Sequence, residues 1–305
     1  MAQAIISRRG GGSGYATITF NGVSALKRTG AAALYQSRYG LAATTVGDYA
    51  LFGGGYNGSF LSTVDVYDYN LARTRMSWLS QKRDDLSATT VGNYALFGGG
   101  RTRSGTTDTF QSTVDAYDTN LTRSTPTALS VARSNLSATT VGNYALFGGG
   151  RYDSYYYGIV NAYDTSLTRS TPTSLSVNRY RLAATTVGNY ALFGGGYNGS
   201  FLSTVDAYDT SLTRTTPTAL SVARANFSAT TVGDYALFGG GSGPTGSTES
   251  ATVNAYYVNN KVLVYPGTKY KLGSMSTEST SSTMQEIETT APITGYIKIK
   301  DATIN

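Results

Sequence analysis

The chain is written in short alternations of apolar and polar residues. Stretches such as LSATTV (86–91) put apolar side chains on one face and polar ones on the other, as a half-buried strand does. Each runs into Gly-Asn or Gly-Asp, a two-residue hairpin turn, and then into Tyr-Ala-Leu-Phe, which is apolar on both faces. Such a strand is predicted to lie in the middle of a layered structure. A glycine triplet follows, where the backbone is expected to take positive φ as it nears another segment. Thr-Val-Asp-Ala-Tyr-Asp (113–118) predicts a third strand. Leu-Thr-Arg-Ser-Thr-Pro-Thr-Ala-Leu (121–129) predicts a fourth, and Pro126, Pro172 and Pro217 suit only an edge. No helical period of 3.6 survives in these stretches.

The same unit recurs. A-T-T-V-G-[DN]-Y-A-L-F-G-G-G occurs five times, its first glycine falling at 53, 98, 148, 194 and 239. An arginine precedes each copy: Arg38, Arg83, Arg133, Arg179 and Arg224. Four-stranded antiparallel units of this length, repeated, predict a propeller. Residues 26–45 align without gaps with 121–140, which predicts a fourth strand before the first copy, and 16–21 is a candidate third. At the other end, 251–257 and 261–265 read as degenerate third and fourth strands.

The repeat arginine, the glycine run closing the second strand and the Tyr-Asp ending the third (Tyr67-Asp68, Tyr117-Asp118, Tyr163-Asp164, Tyr208-Asp209) resemble the kelch family over roughly residues 15 to 265. The resemblance implies an all-β fold: a β-propeller of five to six four-stranded kelch-like blades with short terminal arms. Residues 1–14 form an N-terminal arm and a candidate docking peptide, and 15–265 the propeller. Residues 266–305 form a Ser/Thr-rich linker and a C-terminal strand (293–304).

Composition narrows the chemistry. With no Cys and no His, zinc, copper and iron lose their usual ligands, and Cys- or His-based catalysis is excluded. No cofactor is expected. The net charge of +6 is spread without a dense Lys/Arg run, so no nucleic acid is expected as a partner. No segment approaches the roughly 20 apolar residues of a membrane span, and residues 1–14 lack the apolar core of a signal peptide. Synthesis in a host cytoplasm without membrane insertion is the expectation.

Candidate sites fall among residues that recur and residues that vary. The repeat arginines read as structural, and the recurrent Asp115 and Asp118 as turn formers. Asp84 and Asp85, adjacent in sequence, would point to opposite faces of a strand. The G-x-G-x-x-G spacing at 241–246 lacks a strand–helix context and reads as a loop. Variation is concentrated after the glycine triplets and after the repeat arginines. It carries Tyr56, Arg101, Arg103, the tyrosines of RYDSYYYGI (Tyr152, Tyr155, Tyr156, Tyr157), Tyr180, Arg181 and Tyr197. Loops rich in Tyr, Ser, Gly and Asn gain binding area at low entropic cost, and tyrosine faces suit sugar rings. The identical stretches 56–65 and 197–206 (YNGSFLSTVD) read as recent duplication.

The opening MAQAIISRRGGG resembles the docking starts of phage appendage proteins. The expectation is a non-enzymatic bacteriophage virion surface protein, a tail or capsid appendage. It would bind host cell-surface glycan or protein through propeller loops, or serve as a structural decoration. Its arms would meet other virion proteins, with homo-oligomerisation a further option. The alternatives are an intracellular kelch interaction scaffold and, third, a sialidase-like propeller glycosidase, whose S-x-D-x-G-x-T-W box is missing.

Overall fold

A computed structural model describes residues 30–258 except 76–77 and 245–248. Outside that range it describes the backbone of short strands at 4–6, 18–20, 260–264, 269–270, 279–280 and 285–289. The chain divides into two units, Met1–Ala32 and Ala33–Asn305. In the first, Ala4–Ile6 pairs antiparallel with Ile18–Phe20. In the second the described structure is all β, and its antiparallel sheets follow the repeat.

Four of these sheets have four strands in chain order, and a fifth has three. The second repeat shows the plan: Ser87–Val91, Tyr94–Gly98, Val114–Tyr117 and Arg123–Ser124. Val91 pairs with Tyr94 across a turn in which Gly92 takes φ 51°, as the two-residue hairpin requires. The second and third strands are buried on both faces because another sheet lies on each side. The fourth strand is much shorter than expected. It spans two residues in the second, third and fourth repeats, and the prolines lie beyond it. Leu121 at φ 63° turns the chain into the strand, and Pro126, lacking an N–H, cannot extend it.

Neighbouring sheets meet first strand to first strand, and one contact between their second strands is made four times. The first glycine of the triplet stays within its strand, and the phenylalanine of the next repeat covers it. A Cβ on Gly53, Gly98, Gly148 or Gly194 would stand 2.7–2.9 Å from the ring of Phe97, Phe147, Phe193 or Phe238. Only the second and third glycines take positive φ, as at Gly54 (74°) and Gly55 (107°). Gly55 N–H donates to Arg83 O at 2.9 Å, and Gly100, Gly150 and Gly196 repeat the bond to Arg133, Arg179 and Arg224. Threonine hydroxyls add a rung at each junction, Thr44 to Thr90, Thr89 to Thr140 and Thr139 to Thr186 at 2.8 Å, and Thr185 to Thr231 at 2.9 Å.

Among the described residues none of these links joins the fifth sheet to the first. Val232 is 59% exposed where Val187 is 4%, and Gly239 faces no ring. Nevertheless one residue from every repeat (Gly40, Asp85, Asn135, Arg181, Asn226) lines a single cavity of about 230 Å³. Backbone bonds of 2.9–3.1 Å step along these five residues from Gly40 O to Asn226 N.

The ends of the repeat region depart from expectation. Val253–Tyr257 is the third strand of the fifth sheet. Asn260–Val264, expected to be its fourth, pairs instead with Gln285–Thr289. Ile18–Phe20, the candidate third strand before the first repeat, pairs with Ala4–Ile6. Within 266–305, Lys269–Tyr270 pairs with Ser279–Thr280. The equivalents of Arg123–Ser124 before the first repeat (28–29) and the expected strand at 293–304 lie outside the described residues.

The repeat arginines are fully buried and serve their own sheets. Arg83 donates to Phe97 O (3.1 Å), Thr113 O (3.0 Å) and Asp115 Oδ2 (2.7 Å). Asp115 is therefore no turn former. It is the hub of its sheet, accepting also from Ser80 N (3.0 Å) and Arg123 (2.9 Å). Asp118 does form the turn, accepting from the N–H groups of Asn120 and Thr122. Asp65 and Asp206 hold pairs of arginines in the same way. The third and fifth repeats break the pattern with Asn161 and Asn254, so Arg133 and Arg224 have neutral partners at 2.9 and 2.8 Å, and Arg169 turns to Ala128 O. Burial pushes the Arg133 guanidinium down to about 10.

A buried cation is expected to gain from a carboxylate in the place built for it. Asn161→Asp is expected to stabilise the protein by about 1 kcal/mol, and Asp206→Asn to destabilise it by about 3 kcal/mol. Urea denaturation measures both. A loss of stability in Asn161→Asp would contradict the hub role.

Candidate functional site

The two variable stretches of each repeat come together at one end of its sheet. The residue after the repeat arginine bridges to the residue after the glycine triplet of its own repeat: Tyr39 to Tyr56, Asp84 to Arg101, Ser134 to Arg151, Tyr180 to Tyr197 and Ala225 to Ser242. The next residue takes positive φ in every repeat, from Asp85 at 51° to Gly40 at 66°, and lines the shared cavity. Because of that φ, Asp84 and Asp85 do not alternate as strand neighbours. Both carboxylates reach Nε of Arg101 at 3.2 Å.

Two of these junctions build the same aromatic cradle. In the first repeat Tyr56 packs edge-on against Tyr39 (5.7 Å between centroids) and Phe60 (5.0 Å). In the fourth, Tyr197 packs against Tyr180 (6.0 Å) and Phe201 (5.3 Å). The duplicated YNGSF loop therefore carries a three-ring surface, and the next repeat supplies the facing wall. That wall differs. Beside Tyr39, Tyr56 and Phe60 stand Asp84, Arg101 and Arg103, leaving about 140 Å³. Beside Tyr180, Tyr197 and Phe201 stand Ala225, Asn226 and Ser242, leaving about 390 Å³.

The first cradle is saturated with charge. Asp108 holds Arg101 at 3.0 Å and Arg103 at 2.6 and 3.1 Å. The hydrogen bond from Arg103 keeps the Asp108 carboxyl below its ordinary value. Burial, then the neighbouring Asp85 carboxylate, raise Asp84 to about 6 against the pull of Arg101. Tyr39, 65% exposed, is its open ring.

The second cradle is cationic. Arg181 lines it and lies over the Tyr180 ring at 5.1 Å, with Arg151 also over that ring at 5.2 Å. Neither arginine forms a salt bridge among the described residues. Tyr156 stacks on Tyr180 at 5.2 Å with the planes 8° apart. It thus supports the buried ring and does not face the cavity.

Of the residues expected from variation, Tyr56, Arg101 and Arg103 meet in the first cradle, and Tyr180, Arg181 and Tyr197 in the second. The tyrosine-rich loop does not act as one surface. Tyr152 leans on Phe110 at 4.8 Å, Tyr155 is 70% exposed on a small hairpin, and Tyr157 is partly buried with its N–H on Gly150 O. Sequence reasoning did not single out Phe60, Phe201 or Ser242. The signal for Phe60 and Phe201 was the loop identity that was read as duplication alone, and Ser242 opens the fifth variable loop.

The Asp84 value fixes a pH dependence. Its folded pKa lies above the ordinary 3.8, so the folded protein holds an extra proton between the two values. The stability this supplies is complete below about pH 4 and is lost as pH rises through about 6. Asp84→Asn is expected to flatten the stability profile across that window by about 1–2 kcal/mol, after solvent screening. Thermal melts at pH 4, 5, 6 and 7 measure it, and a profile parallel to wild type would contradict the assignment. Set beside protein-family models and curated proteins, the chain matches none.

Proposed function

We infer that this chain is a non-enzymatic binding protein of a bacteriophage virion surface, a closed β-propeller of five to six blades that engages host cell-surface glycan at one end of the ring. The observation that carries the binding reading is the cradle of three aromatic rings built twice in one geometry, each time where the repeats differ. An aromatic face covers the apolar C–H face of a sugar ring, and the polar groups beside it hydrogen-bond the hydroxyls.

Ring closure is supported by the five residues that share one cavity and by the exposed face of the fifth sheet. A bare face of this kind fits a further blade between the fifth sheet and the first. The virion assignment draws on the opening segment, whose resemblance to appendage docking starts makes the arms the contact with other virion proteins. The repeat arginines and the aspartates paired with them are engaged in structure among the described residues, so the binding reading rests on the cradles and not on these groups.

Two measurements test this. Purified virions should contain the chain by mass spectrometry, and its absence there together with capture of one cytosolic partner would favour an intracellular scaffold. The Tyr39→Ala/Tyr197→Ala double variant is expected to bind intact host cells at least tenfold more weakly with an unchanged melting temperature. Unchanged binding would discard the cradles.

A further inference from the structure

We propose that the cradle between the fourth and fifth repeats takes an acidic sugar, a saccharide unit bearing a carboxylate, and that Arg181 is the residue that reads the charge. The inference rests on the glycan-binding reading and names the class of glycan. It follows from comparing two cavities whose aromatic parts are the same and whose walls are not.

In the first cradle both arginines are already neutralised by Asp84, Asp85 and Asp108, so an arriving anion would meet carboxylates and a small space. In the second, the corresponding wall is Ala225 and Ser242, and the cavity is nearly three times larger, about 390 Å³ against 140 Å³. It holds no carboxylate lining residue, and its one formal charge is Arg181. Asp85, which shares one cavity with Arg181, is engaged by Arg101 at 3.2 Å and by Asn135 Nδ2 at 3.1 Å.

Arg181 is also placed for this work. A guanidinium held over a ring face keeps its in-plane N–H groups free, and these match a carboxylate in pairs. Tyr180 has Arg151 and Arg181 over its ring and Tyr156 stacked on it, which fixes that platform. Arg181 occupies a φ of 55° where the neighbouring repeats use Asn135 and Asn226, residues that adopt this conformation more readily. The fourth repeat thus carries a cation at a position whose backbone favours asparagine. An acidic peptide would satisfy the charge, but Tyr197, Phe201, Ser242 and Asn226 offer ring faces beside single hydrogen-bonding groups, the mixture that suits a sugar ring.

The test uses the full chain and titration calorimetry with trigalacturonate, its neutral trigalactose counterpart and a tetraglutamate peptide. Wild type is expected to bind trigalacturonate about tenfold more tightly than the neutral trisaccharide, with the difference shrinking as salt rises. Arg181→Asn, which installs the side chain of the neighbouring repeats and keeps the backbone conformation, should erase that preference without lowering the melting temperature. Ser242→Asp should abolish trigalacturonate binding and spare neutral sugar at the first cradle. Equal binding of the acidic and neutral sugars, unaffected by Arg181→Asn, would overturn this inference and leave the glycan-binding reading standing. Binding of tetraglutamate as tight as trigalacturonate would overturn the sugar assignment. Failure of a broad glycan array to show any binding would overturn both readings.

Discussion

A buried guanidinium that caps its own sheet is the interaction on which the rest of this structure depends, answered by a carboxylate in the first, second and fourth repeats and by an asparagine in the third and fifth. Arg83 fixes the carbonyls at the ends of its second and third strands through its side chain, while its own carbonyl receives Gly55 of the preceding sheet. One residue therefore closes its sheet and ties it to the sheet before. A buried charge is costly to leave unpaired, and Asp115 answers it while collecting Ser80 and Arg123. The third and fourth strands and the segment leading into the sheet converge on that carboxylate. Phenylalanine over glycine then sets the distance between sheets, since a single Cβ at Gly53 would come within 2.8 Å of the Phe97 ring.

This division of labour explains why one end of each repeat is free to vary. The arginine side chain and the glycine triplet hold the strand ends from within, so the residues just outside them are relieved of structural duty. Tyr39, Asp84, Ser134, Tyr180 and Ala225 occupy one equivalent position, and a single backbone bridge holds each beside its partner. On this frame the same three-ring loop becomes two different cavities, because the facing wall belongs to the next repeat. A charged cradle and a cationic one arise from substitutions at only a few positions.

Much of the fold was legible because it is written five times. Period-two alternation, the Gly-Asn turn and the doubly apolar second strand each name their element. The fourth strand was overread, since the residues from Thr125 to Leu129 share its composition but Pro126 and the turn at Leu121 confine pairing to Arg123 and Ser124. Asp115 was misread because a turn aspartate and a buried ion-pair aspartate look alike in sequence, and only the third strand's burial separates Asp115 from Asp118. The individual tyrosines and arginines of the cradles were visible as variation. Their grouping was not, because it depends on Tyr39 meeting Tyr56, and Asp84 of the next repeat meeting both, across gaps of 17 to 45 residues. At the last sheet, Asn260–Val264 has the look of a fourth strand and pairs elsewhere. Alternation names a strand but not its partner.

The most direct test of the account is hydrogen–deuterium exchange with and without host surface glycan. Protection is expected at 39–41, 56–61, 180–182 and 197–202, with the hairpin turns at the opposite ends of the same sheets (47–48, 92–93, 142–143, 188–189) unchanged. Protection confined to those hairpin turns, or spread over the terminal arms with the cradles untouched, would contradict the claim that the variable end of the repeat is the binding end.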